Sequence, residues 1–517
     1  MNASLAIPII SLIVLIGSAI GMFFLAKDAK RRNSVYTKFT RPSHFDYDVV
    51  VIGAGAGGLA AARQAAELRA KVLVIEKKAL GGDHLYAGCV PSKSLLRSAA
   101  VAHLFRRGNE FGLQSVTPQT DFSRVFTRVH NAIHKLEPLH SADTLTAAGI
   151  DHLIGEARIA DPFRVNIGER IVTARNIIIA TGAGPVIPEI PGLMEVPHYT
   201  SETVWHMKWV PKRLLVLGGG PIGCELAQAF QRLGCETVLV EQRATLLRKE
   251  DPDVIEAITR RFQSEGLTLR LGTEIKEFEK KGNGGRATFR NGETLDFDAV
   301  LVALGRRART NGFGGDDLEL GLRRDGTLEV DSQLRTKYGN VFAVGDVAGP
   351  LQFTHSAANQ GRVAAMNALF APVQSFKIDY TATPWCTYTD PEIARMGLNE
   401  GMAKERRVEV DIHRYSFEHV DRAVCDGEDY GFIKVLTAKG EGTILGVTIV
   451  GPHAGEALPE FSLAMRKNLS LKDIHDNIHA YPTLSDINRL VAREWRKRVL
   501  PRQAVNLFTR FHMWRRG

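Results

Sequence analysis

At 517 residues, 44% of them hydrophobic, the chain has room for three or four domains and a sizeable buried core. Its net charge of +9 sits at the ends: residues 27–41 carry +5 and residues 489–517 carry +8, which leaves −4 for the remainder. A mildly acidic body lacks the basic patch of a nucleic-acid binder and excludes that partner class.

In chain order, Leu5 to Ala26 comes first, 22 residues without a charge. As a helix it would span about 33 Å, enough for a bilayer. Positive charge follows the run, at Lys27, Lys30, Arg31 and Arg32, whereas a cleaved signal would carry it in front. The positive-inside bias predicts a single-pass transmembrane helix in the cell (inner) membrane, with everything after it on the cytoplasmic side. Residues 1–45 are thus read as anchor and linker.

A strand, Val49 to Ile52, then runs into Gly53-x-Gly55-x-x-Gly58, an Ala-rich helix and a second strand ending at Glu76. The first glycine permits the tight turn, the second lets backbone approach a pyrophosphate, and the third lets helix pack on strand. The helix N-terminus offers free N–H groups to phosphate, and the terminal acid can accept from a ribose. The construction recurs with Gly218, Gly220, Gly223 and Glu241, with the acid again 23 residues after the first glycine. Two such units predict two dinucleotides on one chain. Glu241 repels a 2′-phosphate and favours NADH, while Arg243 and Arg248 nearby keep NADPH open.

Five cysteines, Cys89, Cys224, Cys235, Cys386 and Cys425, form no CxxC pair and no metal-ligand spacing, so no metal site is expected. The odd count points to free thiols in a reducing compartment. All but Cys89 read as small buried hydrophobes.

Cys89 belongs to GGDHLYAGCVPSK, residues 81–93. This segment resembles the GGxCxxxxCxPSK motif of the class I pyridine nucleotide-disulfide oxidoreductases, which include dihydrolipoamide dehydrogenase, glutathione reductase and mercuric reductase. The resemblance covers about residues 46 to 490, and WCTYTDPEIARMGL, residues 385–398, is nearest the mercuric-reductase side. It implies an α/β protein of two Rossmann-like three-layer domains, binding FAD and NAD(P), with a C-terminal α+β dimerisation domain. The expected boundaries are 46–186 and 300–373 for the FAD domain, 187–299 for the NAD(P) domain and 374–488 for dimerisation. In the last, GFIKVL and ILGVTIVG predict antiparallel strands. A basic amphipathic tail follows at 489–517.

By residue-level match, the resemblance assigns flavin-nucleotide contacts to Gly82, Gly155, Thr181, Gly182, Asp346, Phe353, Thr354 and His355. Ile275 and Gly305 are matched to contacts of the nicotinamide nucleotide. Lys93 matches the lysine beside the flavin N5, and Glu225 the glutamate that pairs with it. Cys89 matches the flavin-side sulfur.

Two departures stand out. His84 occupies the place of the first redox cysteine, and one sulfur closes no intrachain disulfide. In HAYPTLSD, residues 479–486, Tyr481 and Asp486 stand where the family has a basic histidine and its orienting glutamate. A phenol with a pKa near ~10 is a poor base at neutral pH. His84 can take up protons or join Cys89 in holding a soft metal ion.

The function expected is a homodimeric, membrane-anchored FAD protein that accepts hydride from NADH and reduces a small acceptor directly: a quinone, a metal ion or oxygen. The rivals are a thiol or metal-ion reductase using Cys89 and a non-catalytic FAD-binding membrane partner. In the tail, Ala504, Leu507, Phe508, Phe511 and Trp514 fall on one helical face among arginines. Residues 500–516 therefore suit a lipid surface or packing within the dimer.

Overall fold

A computed structural model describes residues 34–499 and 502–517. The chain divides into two compact units. Of the described residues, one comprises 34–84, Leu136–Gly184 and Arg307–Ile378; the other comprises Leu85–Lys135, Pro185–Arg306 and the described part of 379–517. The expected anchor, residues 5–26, lies outside the described residues. Among the described residues no helix is long and apolar enough to cross a membrane.

The first unit is built on a parallel sheet in the order Ile150–Ile154, Val72–Glu76, Tyr47–Ile52, Arg170–Ile179, with Val341–Ala343 beside the last strand. Val49, Val50 and Val51 are fully buried in consecutive positions, as a strand covered on both faces requires. Register follows, with Val49 opposite Val72 on one side and Asn176 on the other. The helix Ala56–Glu67 lies against the helix Thr354–Phe370 so closely that a Cβ on Gly361 would stand 2.1 Å from the carbonyl oxygen of Gly57.

The second unit repeats the parallel pattern. Its order is Thr268–Leu271, Glu236–Glu241, Arg213–Leu217, Ala299–Val302, His198–Thr200. An antiparallel sheet of five strands follows in the chain, and within it Phe432–Ala438 pairs with Ile444–Gly451, the two segments expected as strands. The helix Cys89–Arg106 belongs to this unit and packs on the second glycine-motif helix, Pro221–Arg232. The helix Asp486–Val499 buries Ile487, Leu490 and Val491 against the antiparallel sheet, and the helix Arg502–Arg516 follows it.

Candidate functional site

In the first unit the turn after Tyr47–Ile52 needs glycine for steric reasons. Gly53 has φ +103°, and a Cβ on it would meet Ala180 O at 2.4 Å. A Cβ on Gly58 would stand 1.9 Å from Gly53 O, so the third glycine lets the helix start directly under the turn. A Cβ on Gly55 would meet only Gly82 Cα, at 4.0 Å, and a Cβ on Gly82 would fall 2.5 Å from Gly55 Cα, so the two glycines keep this side of the turn free of side chains. Backbone flanked by glycine at a helix N-terminus fits the phosphates of a dinucleotide. Glu76 closes the turn, accepting from Ala54 N at 2.7 Å and Lys78 N at 2.8 Å.

Other predicted flavin contacts collect in the same unit. Gly155 donates its N–H to Glu76 O at 2.7 Å. Thr181 Oγ1 donates to Arg309 O at 2.8 Å, and Gly182 O accepts from Arg309 N at 2.9 Å. Asp346 sits in the short helix Gly345–Val347, whose first N–H is held by buried Gln360 at 2.6 Å. Phe353 and His355 stack 5.5 Å apart, flanking Thr354 where the long helix begins.

His84 is half-buried. Its ring stands edge-on to that of His140 with centroids 5.3 Å apart, and the Nδ1 atoms of both rings are buried without a hydrogen-bond partner. Burial first, then His140, pushes the His84 pKa down, so the ring is neutral at neutral pH.

The second unit holds the other nucleotide turn in matching form. Gly218 has φ +107°, a Cβ on Gly223 would meet Gly218 O at 1.9 Å, and nothing lies within 4 Å of a Cβ on Gly220. Glu241 accepts from Gly219 N and Arg243 N, both at 2.9 Å. Gly305, at φ +105°, accepts from Val186 N at 3.0 Å. Ile275 opens the strand Ile275–Lys281 and packs in the apolar core of its domain.

Lys93, on the helix opened by Cys89, donates from Nζ to Glu225 Oε2 at 2.8 Å. The pairing expected between these two, 132 positions apart, is made. The other oxygen of buried Glu225 accepts from Tyr388 N at 2.8 Å, and the Lys93 ammonium lies 4.4 Å from the centre of the Tyr388 ring. Sequence reasoning gave Tyr388 no role, although it sits inside the quoted 385–398 segment. Trp205 also escaped it: its indole N–H spans Ala87 O at 2.9 Å and Ser201 O at 2.8 Å, tying down the turn before Cys89.

Cys89 is exposed, and none of the five cysteines is in a disulfide. Burial raises the thiol pKa of Cys224 and Cys386, and pushes that of Cys235 up to about 12, so these three remain protonated. Cys425, expected to be buried, is exposed, because its short helix Asp421–Asp426 turns only Ala423 inward. Tyr481 and Asp486 do not bond to each other. The Tyr481 hydroxyl donates to Asp421 at 2.5 Å, which raises its pKa further, and Asp486 is gripped at both oxygens by Arg489 at 2.8 and 3.0 Å.

Two glycine-cradled dinucleotide turns and a lysine paired with a buried glutamate define a two-nucleotide α/β reductase. Residues 47–361 match the pyridine nucleotide-disulphide oxidoreductase family and residues 383–491 match its dimerisation domain. The chain belongs to that family, and with it to the FAD-dependent NAD(P)H oxidoreductases. It is 33% identical over 450 residues to the dihydrolipoyl dehydrogenase of Chlamydia muridarum, covering 85% of this chain and 95% of the relative. It is 32% identical over 457 residues to a mercuric reductase of Staphylococcus aureus, covering 88% and 83%. Among solved structures, the HOCl-induced flavoprotein disulfide reductase RclA from Escherichia coli superposes with a TM-score of 0.77 at 25% identity, covering 86% of this chain and 99% of that one.

Proposed function

We propose that this reductase takes hydride from NADH and delivers the electrons to a small acceptor (a quinone, a metal ion or oxygen) without an internal redox disulfide. FAD, when bound, is the group that accepts hydride and releases electrons one or two at a time. The reading is carried by one observation: the segment that should hold two sulfurs holds one, Cys89, which is in no disulfide, with the neutral imidazole of His84 at the other place. Lys93, oriented by Glu225 and Tyr388, supplies a fixed positive charge against the negative charge that builds up on reduction. Neutral His84 can accept a proton. Glu241, its carboxylate anchored by two backbone N–H groups, disfavours a 2′-phosphate and so selects NADH.

The dimerisation domain supports a homodimer, and the apolar run at 5–26 supports anchoring in the cell membrane with residues 27 onward in the cytoplasm. With Tyr481 bonded to Asp421 and Asp486 to Arg489, neither serves as a base for thiol exchange.

The test is anaerobic reduction of the flavin by NADH, followed by a panel of acceptors, on wild type and Cys89→Ser. Direct transfer predicts turnover with quinone in both. Loss of all turnover in Cys89→Ser would favour the second reading, a metal-ion reductase working through this exposed thiol. That reading draws support from the mercuric reductase relatives and from the Cu(II) complex in which RclA was solved. Rapid reduction of lipoamide or glutathione disulfide would overturn both.

A further inference from the structure

The helix Arg502–Arg516 has no part in the nucleotide sites. Residues 506–517 are all exposed, and the exposed set includes Leu507 at 66%, Phe508 at 55%, Phe511 at 46% and Trp514 at 77%. At spacings of one, three and three these four residues form a single apolar stripe along about two turns. Phe511 and Trp514 lie against each other with centroids 6.1 Å apart, and the Arg515 guanidinium stands 5.8 Å from the Phe511 ring. The face is thus an aromatic patch with arginine beside it. An isolated soluble helix gains nothing by exposing such a stripe, since each ring keeps its apolar surface in water.

Charge decides what covers it. Residues 495–517 contain Arg496, Lys497, Arg498, Arg502, Arg510, Arg515 and Arg516 and no acid. A second copy of the helix would bring like charges together, whereas an anionic lipid surface attracts every one of them. Aromatic and arginine side chains on one helix suit the headgroup boundary, where rings enter and guanidinium groups stay wet. The other end of the chain carries the same sign: +5 over residues 27–41, directly after the uncharged run. We infer that the helix Arg502–Arg516 lies on the anionic face of a membrane, with Leu507, Phe508, Phe511 and Trp514 entering the headgroup boundary. It would be a second attachment point, added to the proposed anchor and resting on different residues.

The experiment uses the full FAD-loaded chain mixed with vesicles that carry a nitroxide at headgroup depth. The emission of Trp514 is isolated by difference from Trp514→Phe. Trp514 should be quenched in phosphatidylserine-containing vesicles. The quenching should fall sharply at about 1 M salt, where screening shortens the reach of charge to about 3 Å. It should fall as well in Phe508→Ser/Phe511→Ser. Absence of quenching in the anionic vesicles overturns the inference. So does equal quenching in pure phosphatidylcholine, or a blue-shifted Trp514 that depends on protein concentration without lipid, the mark of a second copy. The anchor is read separately: a Phe508→Ser/Trp514→Ser chain that still floats with vesicles keeps the anchor whatever the tail does.

Discussion

The two glycine-motif helices begin alike and end in different company. At Gly53–Gly58 and at Gly218–Gly223 the third glycine would place a Cβ 1.9 Å from the first glycine's oxygen, and the acid 23 residues on receives an N–H from the residue after the first glycine. Beyond that point they part. The helix Ala56–Glu67 packs on Thr354–Phe370 through Gly57 and Gly361, backbone against backbone. The helix Pro221–Arg232 packs on Cys89–Arg106 among charged groups. Arg106 donates to Arg232 O at 2.7 Å, Arg232 is held by Glu265 and Asp390, each at 2.8 Å, and Lys93 meets Glu225. One motif is locked by a contact that tolerates no side chain. The other is tied to the helix that carries Cys89 by pairs that respond to pH and to single substitutions.

The largest effects are expected at the glycines. Gly58→Ala or Gly361→Ala forces backbone apart in the first unit, and overpacking of this kind costs about 1–3 kcal/mol or more. The expected product lacks bound flavin, which absorbance in the flavin band reads directly. Gly223→Ala should instead stay yellow and lose reduction by NADH in stopped flow. A colourless Gly223→Ala would mean that the second glycine turn also supports flavin binding.

Next comes pH. His103, on the helix Cys89–Arg106, has a pKa lowered to about 4, by burial first and then by Arg232; Arg107 adds repulsion, while Glu265 and Asp390 oppose it. A base whose folded pKa lies below its unfolded value of about 6.5 contributes stability that is complete above pH 6.5 and is lost as pH falls toward 4. Urea midpoints should decline across this window, and His103→Gln should flatten the decline. An unchanged slope would remove His103 from the account.

Smaller effects test the lysine. Glu225→Gln leaves Lys93 without its counter-charge. Because Lys93 is 34% exposed, the loss is discounted to about 1.4–2.8 kcal/mol, or about ten- to hundredfold in the rate of flavin reduction by NADH. Tyr388→Leu removes a cation–π contact of about 0.5–1 kcal/mol, so two- to fivefold or thereabouts is expected, while Tyr388→Phe keeps the ring and should be near wild type. Equal losses in Tyr388→Phe and Tyr388→Leu would mean that the hydroxyl, rather than the ring face, matters.

Much of this protein is readable from residue order alone. Strand, glycine turn, helix and terminal acid lie within about 30 consecutive residues, so local sterics specify each nucleotide turn wherever the chain goes next. The same holds for the strands Phe432–Ala438 and Ile444–Gly451, apolar runs whose short connection needs no distant partner. Resemblance supplied the Lys93–Glu225 pairing, but only the fold brings Tyr388 to that pair, Trp205 to the turn before Cys89, and His103 to Arg232. The fold also exposes Cys425 and gives Tyr481 and Asp486 different partners. These are contacts between residues up to 295 positions apart, as between Tyr388 and Lys93, and no local pattern encodes them. They exist because closing the core sets which side chains are neighbours, and a neighbour's charge or bulk, rather than the residue's own type, decides what a cysteine, a tyrosine or a histidine can do there.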